Sequence, residues 1–185
     1  MAGFVVLYLV AVWTPVGQQL DEAAMQWTAA AVAGEGWAET LLHAVSAGSA
    51  LLVGTTLAVV TALTRGLRPA ALGLLSASIV MVGAQVLKLT LTRPDFSVGA
   101  LVNSFPSGHV AAVTGLAVAL LLAFPAGQWR RVALVGVAPV VALTGAATIV
   151  LEWHRPSDVL GSVLLAAAVG LAAAQCESPR RGRRA

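Results

Sequence analysis

Long apolar runs separated by brief polar islands set the pattern of this chain. A helix needs about 20 apolar residues to cross the hydrocarbon core of a bilayer. Leu41–Leu63, Ala70–Thr92 and Val132–Leu151 match that length, and Val110–Phe124 and Val159–Ala174 continue the series. The first run, Gly3–Val16, is short and ends at Pro15; without a basic start or a small-residue cleavage site it reads as a retained helix, not a signal peptide. Gln18–Glu39 is mixed and acidic, with Asp21, Glu22, Glu35 and Glu39 beside Trp27 and Trp37, which suits an outer loop carrying an interfacial helix. The pattern predicts a single all-α domain over residues 1–185, a polytopic membrane protein of six transmembrane helices at 3–16, 41–63, 70–92, 110–124, 132–151 and 159–174.

The polar positions inside the runs are not scattered. Ser78, Gln85, Lys88 and Thr92 follow one another at spacings of seven, three and four, which puts them on one helical face. That face must look into the bundle, because a charge facing lipid is expensive. Thr144 and Thr148 share a face of the fifth span, and Pro156 suits the first turn of the sixth.

Composition agrees with the pattern: 58% of the residues are hydrophobic and 10% charged, against about a quarter charged in soluble domains. A pI of 10.0 would suit nucleic acid, but the arginines cluster between apolar runs, where membrane topology accounts for them. The expected partners are therefore the bilayer and a lipid, not nucleic acid. Cys176 is alone, so no intramolecular disulfide can form. Six crossings put Arg65, Arg68, Arg130, Arg131, Arg180, Arg181, Arg183 and Arg184 on one face, and leave Lys88, Arg93 and Arg155 on the other. Positive charge in short loops stays cytoplasmic. Both termini are then cytoplasmic, and the polar loops open on the outer face of the plasma membrane.

Those loops carry the candidate chemistry. Asn103-Ser104-Phe105-Pro106-Ser107-Gly108-His109 opens the fourth span, with Lys88 and Arg93-Pro94 before it and Trp153-His154-Arg155-Pro156-Ser157-Asp158 near the end. Free backbone N–H groups and the helix dipole make a helix start an anion site, and Gly108 lets an anion come close. The two loops fall on the same membrane face, so Lys88, Arg93, Ser107, Gly108, His109, His154 and Asp158 can converge. Two cations, oriented N–H groups and two histidines suit phosphoryl transfer, where electrostatic stabilisation of the equatorial oxygens dominates. Asp158, four residues after His154, can hold one ring nitrogen and leave the other to attack. His154 thus reads as a nucleophile that forms a phosphohistidine, and His109 as the acid that protonates the leaving oxygen and later activates water.

Each piece has a plainer reading: Lys88 snorkelling, Pro-Ser-Gly as a turn, His-x-x-x-Asp as a structural hydrogen bond. All of these would have to hold at once on one face. His109, His154, Asp158 and Asp95 could also ligate zinc or iron, but two cations in the same site would oppose a divalent ion. No metal and no cofactor are expected.

Lys88…Arg93-Pro94, Pro106-Ser107-Gly108-His109 and His154-x-x-x-Asp158, set in six spans, resemble the type-2 phosphatidic acid phosphatase superfamily, which shares its site with vanadium haloperoxidases. The resemblance covers the third to sixth spans. It implies metal-independent hydrolysis of lipid phosphates through a phosphohistidine, with the nucleophile at His154 and the second-motif histidine at His109. Among substrates it implies a polyprenyl phosphate or pyrophosphate first, and phosphatidic acid or phosphatidylglycerol phosphate next; a non-catalytic lipid-phosphate binder or transporter is the alternative from another class. Two departures stand out. Four residues, not six, separate Lys88 from Arg93, and Thr148 occupies the place of the third motif's arginine. Arg155 is the candidate to replace that charge as a phosphate ligand.

Overall fold

The computed structural model describes residues 1–32, 34–99 and 103–177, and over these the chain is helical. Helices α1 (Ala2–Leu7), α2 (Pro15–Ala31) and α3 (Gly36–Ala44) precede α4 (Ala47–Arg65), α5 (Leu67–Thr90), α6 (Gly108–Ala123), α7 (Gln128–Val150) and α8 (Pro156–Glu177).

The lengths and breaks of these helices bear out an all-helical membrane protein but do not confirm six spans. Four, α4, α5, α7 and α8, are long and apolar enough to cross a membrane; a fifth span is possible if the bent pair Ala2–Val12 and Pro15–Ala31 counts as one. That pair turns through 89°. A π-helical stretch, Tyr8–Val12, ends the first piece, and Thr14 caps the second through its side chain with Pro15 at the first helical position. Helix α6 has 16 residues, about 24 Å at ~1.5 Å per residue, against a hydrocarbon core of about 30 Å. The apolar run expected at 41–63 is also divided. Ser46 and Ser49 form a reciprocal capping box that starts α4 afresh, so Leu41 and Leu42 belong to α3. Within 18–39, expected as an outer loop with an interfacial helix, most residues to Ala31 belong to α2, and α3 begins at Gly36.

Lipid-facing surface is plain in the exposed side chains Leu52, Val60, Leu63, Leu89 and Val135. Inside, α5 and α6 pack closely: a Cβ added to Gly115 would lie 3.1 Å from the Ala77 carbonyl oxygen. The main core gathers Phe4, Val12, Val80, Phe105, Val118 and Leu165, while Ala38 and Leu42 of α3 pack on Ala147 and Val150 of α7. The ends of the bundle differ in chemistry. At one, Arg65 and Arg130 meet Glu177 at 3.6 and 2.6 Å, and Arg68 donates to the Cys176 carbonyl. At the other, the loops before α6 and α8 come together, tied by Ser107 N–H donating to the Asp158 carbonyl and Ser162 Oγ donating to the Ser107 carbonyl. The tail arginines Arg180, Arg181, Arg183 and Arg184 lie outside the described residues.

Candidate active site

The short turn between α7 and α8 is shaped by the backbone of Thr148. Its carbonyl accepts from the N–H groups of Trp153 and His154, at 3.0 and 3.1 Å, which folds the chain back and presents His154. Asp158, in the first turn of α8, is fully buried and serves four partners. Its Oδ2 accepts from Ser104 Oγ at 2.5 Å and from the Arg155 N–H at 3.0 Å, and stands 3.3 Å from His154 Nδ1. Its Oδ1 accepts from Arg93 Nη2 at 3.2 Å. An ionised carboxylate only accepts, so it fixes the proton on Nδ1 and leaves Nε2 with its lone pair.

His154 borders a cavity of about 730 Å³ together with His109, Lys88, Gly108 and Trp153. His109 follows Gly108 in the first turn of α6, and its ring centroid lies 5.7 Å from that of Trp153. From this polar end the cavity runs along α4, α5 and α6 past Leu51, Leu74, Met81, Val82 and Leu116. A polar head and a long apolar groove form one continuous space.

The remaining expected residues stand behind the cavity wall. Ser107 is fully buried and its oxygen caps α6 by accepting from the Val110 N–H. Arg93 is buried on Asp158, and among the described residues its Nε and Nη1 have no hydrogen-bond partner. Burial pulls its pKa down, and the Asp158 carboxylate opposes that pull. Arg155, expected as a phosphate ligand, does not border the cavity. It is fully buried, and its Nε donates to Glu22 Oε2 at 2.8 Å. A buried cation is costly without a carboxylate partner, and Glu22 supplies one to Arg155.

Sequence reasoning passed over the other half of that clamp. Asp21 and Glu22 were read as outer-loop acids, yet both are buried against the turn. Asp21 accepts from the Ser157 N–H at 2.9 Å and from the Ser157 hydroxyl, and so caps the start of α8. The approach is close: Gly99 has φ +66°, and a Cβ there would lie 2.4 Å from the Glu22 carboxyl carbon. The available signal was two adjacent acids, Asp21 and Glu22, within a helix that bends back from the first apolar run. Asp95, weighed as a metal ligand, accepts instead from the Ser97 N–H at 2.8 Å. Among the described residues no group of three or more His, Cys, Asp or Glu side chains is arranged to hold a metal ion.

Fold and site together define a helical membrane protein with two histidines on one cavity at one end of its bundle. The family profile of the PAP2 superfamily matches residues 42–181, and the chain belongs to that superfamily and is a phosphatase. The crystal structure of the first transmembrane PAP2-type phosphatidylglycerolphosphate phosphatase from Bacillus subtilis is similar over 100% of this chain and 96% of that one, with a TM-score of 0.78 and 21% identity. None of the curated proteins matches the chain.

Proposed function

We propose that the protein hydrolyses a membrane lipid phosphate or pyrophosphate through a phosphohistidine at His154, without a metal ion. The observation that carries this reading is the shared cavity. His154, with Nδ1 held toward Asp158, faces the same space as His109 and Lys88, and that space continues into an apolar groove. In the first step His154 Nε2 forms a bond to phosphorus as the bond from phosphorus to the lipid-side oxygen breaks. His109 gives its proton to that oxygen, and the lipid alcohol or monophosphate leaves. In the second step a water molecule attacks the phosphohistidine, His109 takes its proton, and inorganic phosphate departs with His154 restored. Lys88 and the N–H groups at the start of α6 balance the charge on the equatorial oxygens, and Arg93, behind the wall on Asp158, adds positive potential without touching them. Gly108 keeps that approach open, and Ser107 sets the helix start.

A polyprenyl phosphate or pyrophosphate is the first candidate, since its hydrocarbon chain matches the apolar groove. A specific observation favours a second reading, phosphatidylglycerol phosphate or phosphatidic acid: the similar solved structure is a phosphatidylglycerolphosphate phosphatase. Both kinds of lipid need the same groove.

Release of phosphate by the purified protein in detergent, from polyprenyl pyrophosphate and from phosphatidic acid, tests the reading. His154→Ala lowers turnover by at least about a thousandfold, since His109, the other imidazole on the cavity, lacks the Asp158 carboxylate that orients His154. Chelator leaves the wild-type rate within about twofold, because the cationic side chains already supply the positive potential. Wild-type turnover by His154→Ala, or loss on chelation that one divalent ion restores, overturns it.

A further inference from the structure

The polar face of α5 extends beyond what phosphate hydrolysis uses. Gln85 and Ser78 border the same cavity as Lys88, on its apolar side. Gln85 lies three residues before Lys88, about 4.5 Å along the helix axis at ~1.5 Å per residue. Its side chain is exposed to the cavity, and among the described residues no hydrogen bond engages its amide. The amide sits beside the glycine that opens α6: a Cβ added to Gly108 would lie 2.9 Å from Gln85 Nε2. The neighbouring walls, Met81, Val82, Ala112 and Leu116, offer no side-chain acceptor. Within the bilayer an amide in such surroundings is expensive unless an occupant completes its hydrogen bonds.

We propose that Gln85 is a specificity-determining residue whose amide N–H donates to an acyl ester carbonyl of the lipid, so that ester-linked glycerophosphate lipids are favoured. The inference rests on the preceding reading in one respect, that the phosphate lies at the end of the cavity where Lys88, His109 and His154 meet. The next layer down is then Gln85. In a phosphorylated diacylglycerol the first ester carbonyls lie a few bonds from the phosphate and bring acceptors to that layer. In a polyprenyl phosphate the same layer is hydrocarbon, which covers the amide and leaves it unpaired. Leaving a buried donor unpaired is the stronger half of this discrimination.

The test uses dioleoyl phosphatidic acid, its dialkyl ether analogue, which keeps the glycerol phosphate but lacks both carbonyls, and a polyprenyl phosphate. Turnover is measured with the intact protein, and binding with the His154→Ala protein, each with and without Gln85→Leu. The diester exceeds the diether and the polyprenyl lipid by about five- to tenfold in kcat/KM and in affinity, the scale of one neutral hydrogen bond. Gln85→Leu brings diester and diether within about twofold of each other by weakening the diester alone. The diester–diether comparison on the unsubstituted chain decides the matter even if the variant fails to fold. Equal handling of the two lipids, or an equal loss on both in Gln85→Leu, overturns the role of Gln85 and leaves the phosphatase reading standing. Absence of turnover on all three lipids, with the ester-over-ether binding difference present and lost in Gln85→Leu, sustains Gln85 and overturns the reading of these lipids as substrates instead.

Discussion

Asp158 binds Ser104, Arg93, the Arg155 N–H and His154, so one carboxylate joins the loop before α6 to the loop before α8. The spacing His154-x-x-x-Asp158 made the last of these contacts legible, because four residues is one helical turn. The contact of Arg93 is also foreseeable in kind, since a buried cation in an apolar bundle seeks a carboxylate. The Glu22–Arg155 pair is not: 133 residues separate the partners, and nothing local marks Glu22 as buried. Arg155 was therefore read as a free charge for phosphate. The pair makes a definite prediction. Removing one partner takes the ion pair from the other, which is buried, so Glu22→Ala and Arg155→Ala each destabilise the protein by about 3 kcal/mol. Replacing both by neutral residues costs less than the sum of the single changes. Thermal unfolding in detergent measures this. An Arg155→Ala protein of wild-type stability that is weakened only in substrate affinity would return Arg155 to the phosphate site.

At the scale of elements, periodicity and turn chemistry located α5, α6, α7 and α8 to within a few residues. Their boundaries are set by strong local signals such as Pro156 and Ser107. The N-terminal third was less legible, because hydropathy averaged over a run is blind to a break. The capping box at Ser46 and Ser49 and the turn before Pro15 involve few residues, yet they redirect whole helices. The junction of α8 with the loop before α6 shows how tightly the catalytic elements are joined. A Cβ on Gly161 would come within 2.6 Å of the Phe105 ring. That ring is fully buried and held by Phe4 and Tyr8, with centroids at 5.2 and 5.5 Å, so it cannot swing aside. Gly161→Ala consequently costs about 1–3 kcal/mol and shifts the loop that carries Ser104 and His109. Thermal unfolding together with turnover measures both effects; unchanged values of both would mean that the loop is free to give way.

For the whole molecule, the pattern of charge was more legible than the number of crossings. Arg65, Arg68, Arg130 and Glu177 collect at one end of the bundle, and the histidines, Asp158, Arg93 and the α2 acids at the other. A parity argument from the sequence reaches that division because α4 to α8 alternate in direction. The count of six is not confirmed: by length and composition four helices, or five with the bent N-terminal pair taken as one, suffice to cross, and α6 is an apolar helix of 16 residues. We propose that the arginine-rich end faces the cytoplasm and that the site opens on the outer face. A cysteine introduced at Ser97 then reacts with a membrane-impermeant thiol reagent in intact cells, and the exposed Cys176 reacts only after lysis. The reverse labelling would move the substrate pool to the cytoplasmic leaflet.

The covalent step is the centre of the account, and trapping it is the most direct measurement. Protein mixed with a lipid phosphate carrying a radioactive phosphoryl group, quenched in alkali within a turnover and digested, should yield one labelled peptide, with the phosphate on His154. The label should be stable to alkali, labile to acid and absent from His154→Ala. It should persist longer in His109→Ala, whose second step lacks the base that activates water. Turnover with no bound label under these conditions, or label on any other residue, would contradict the account.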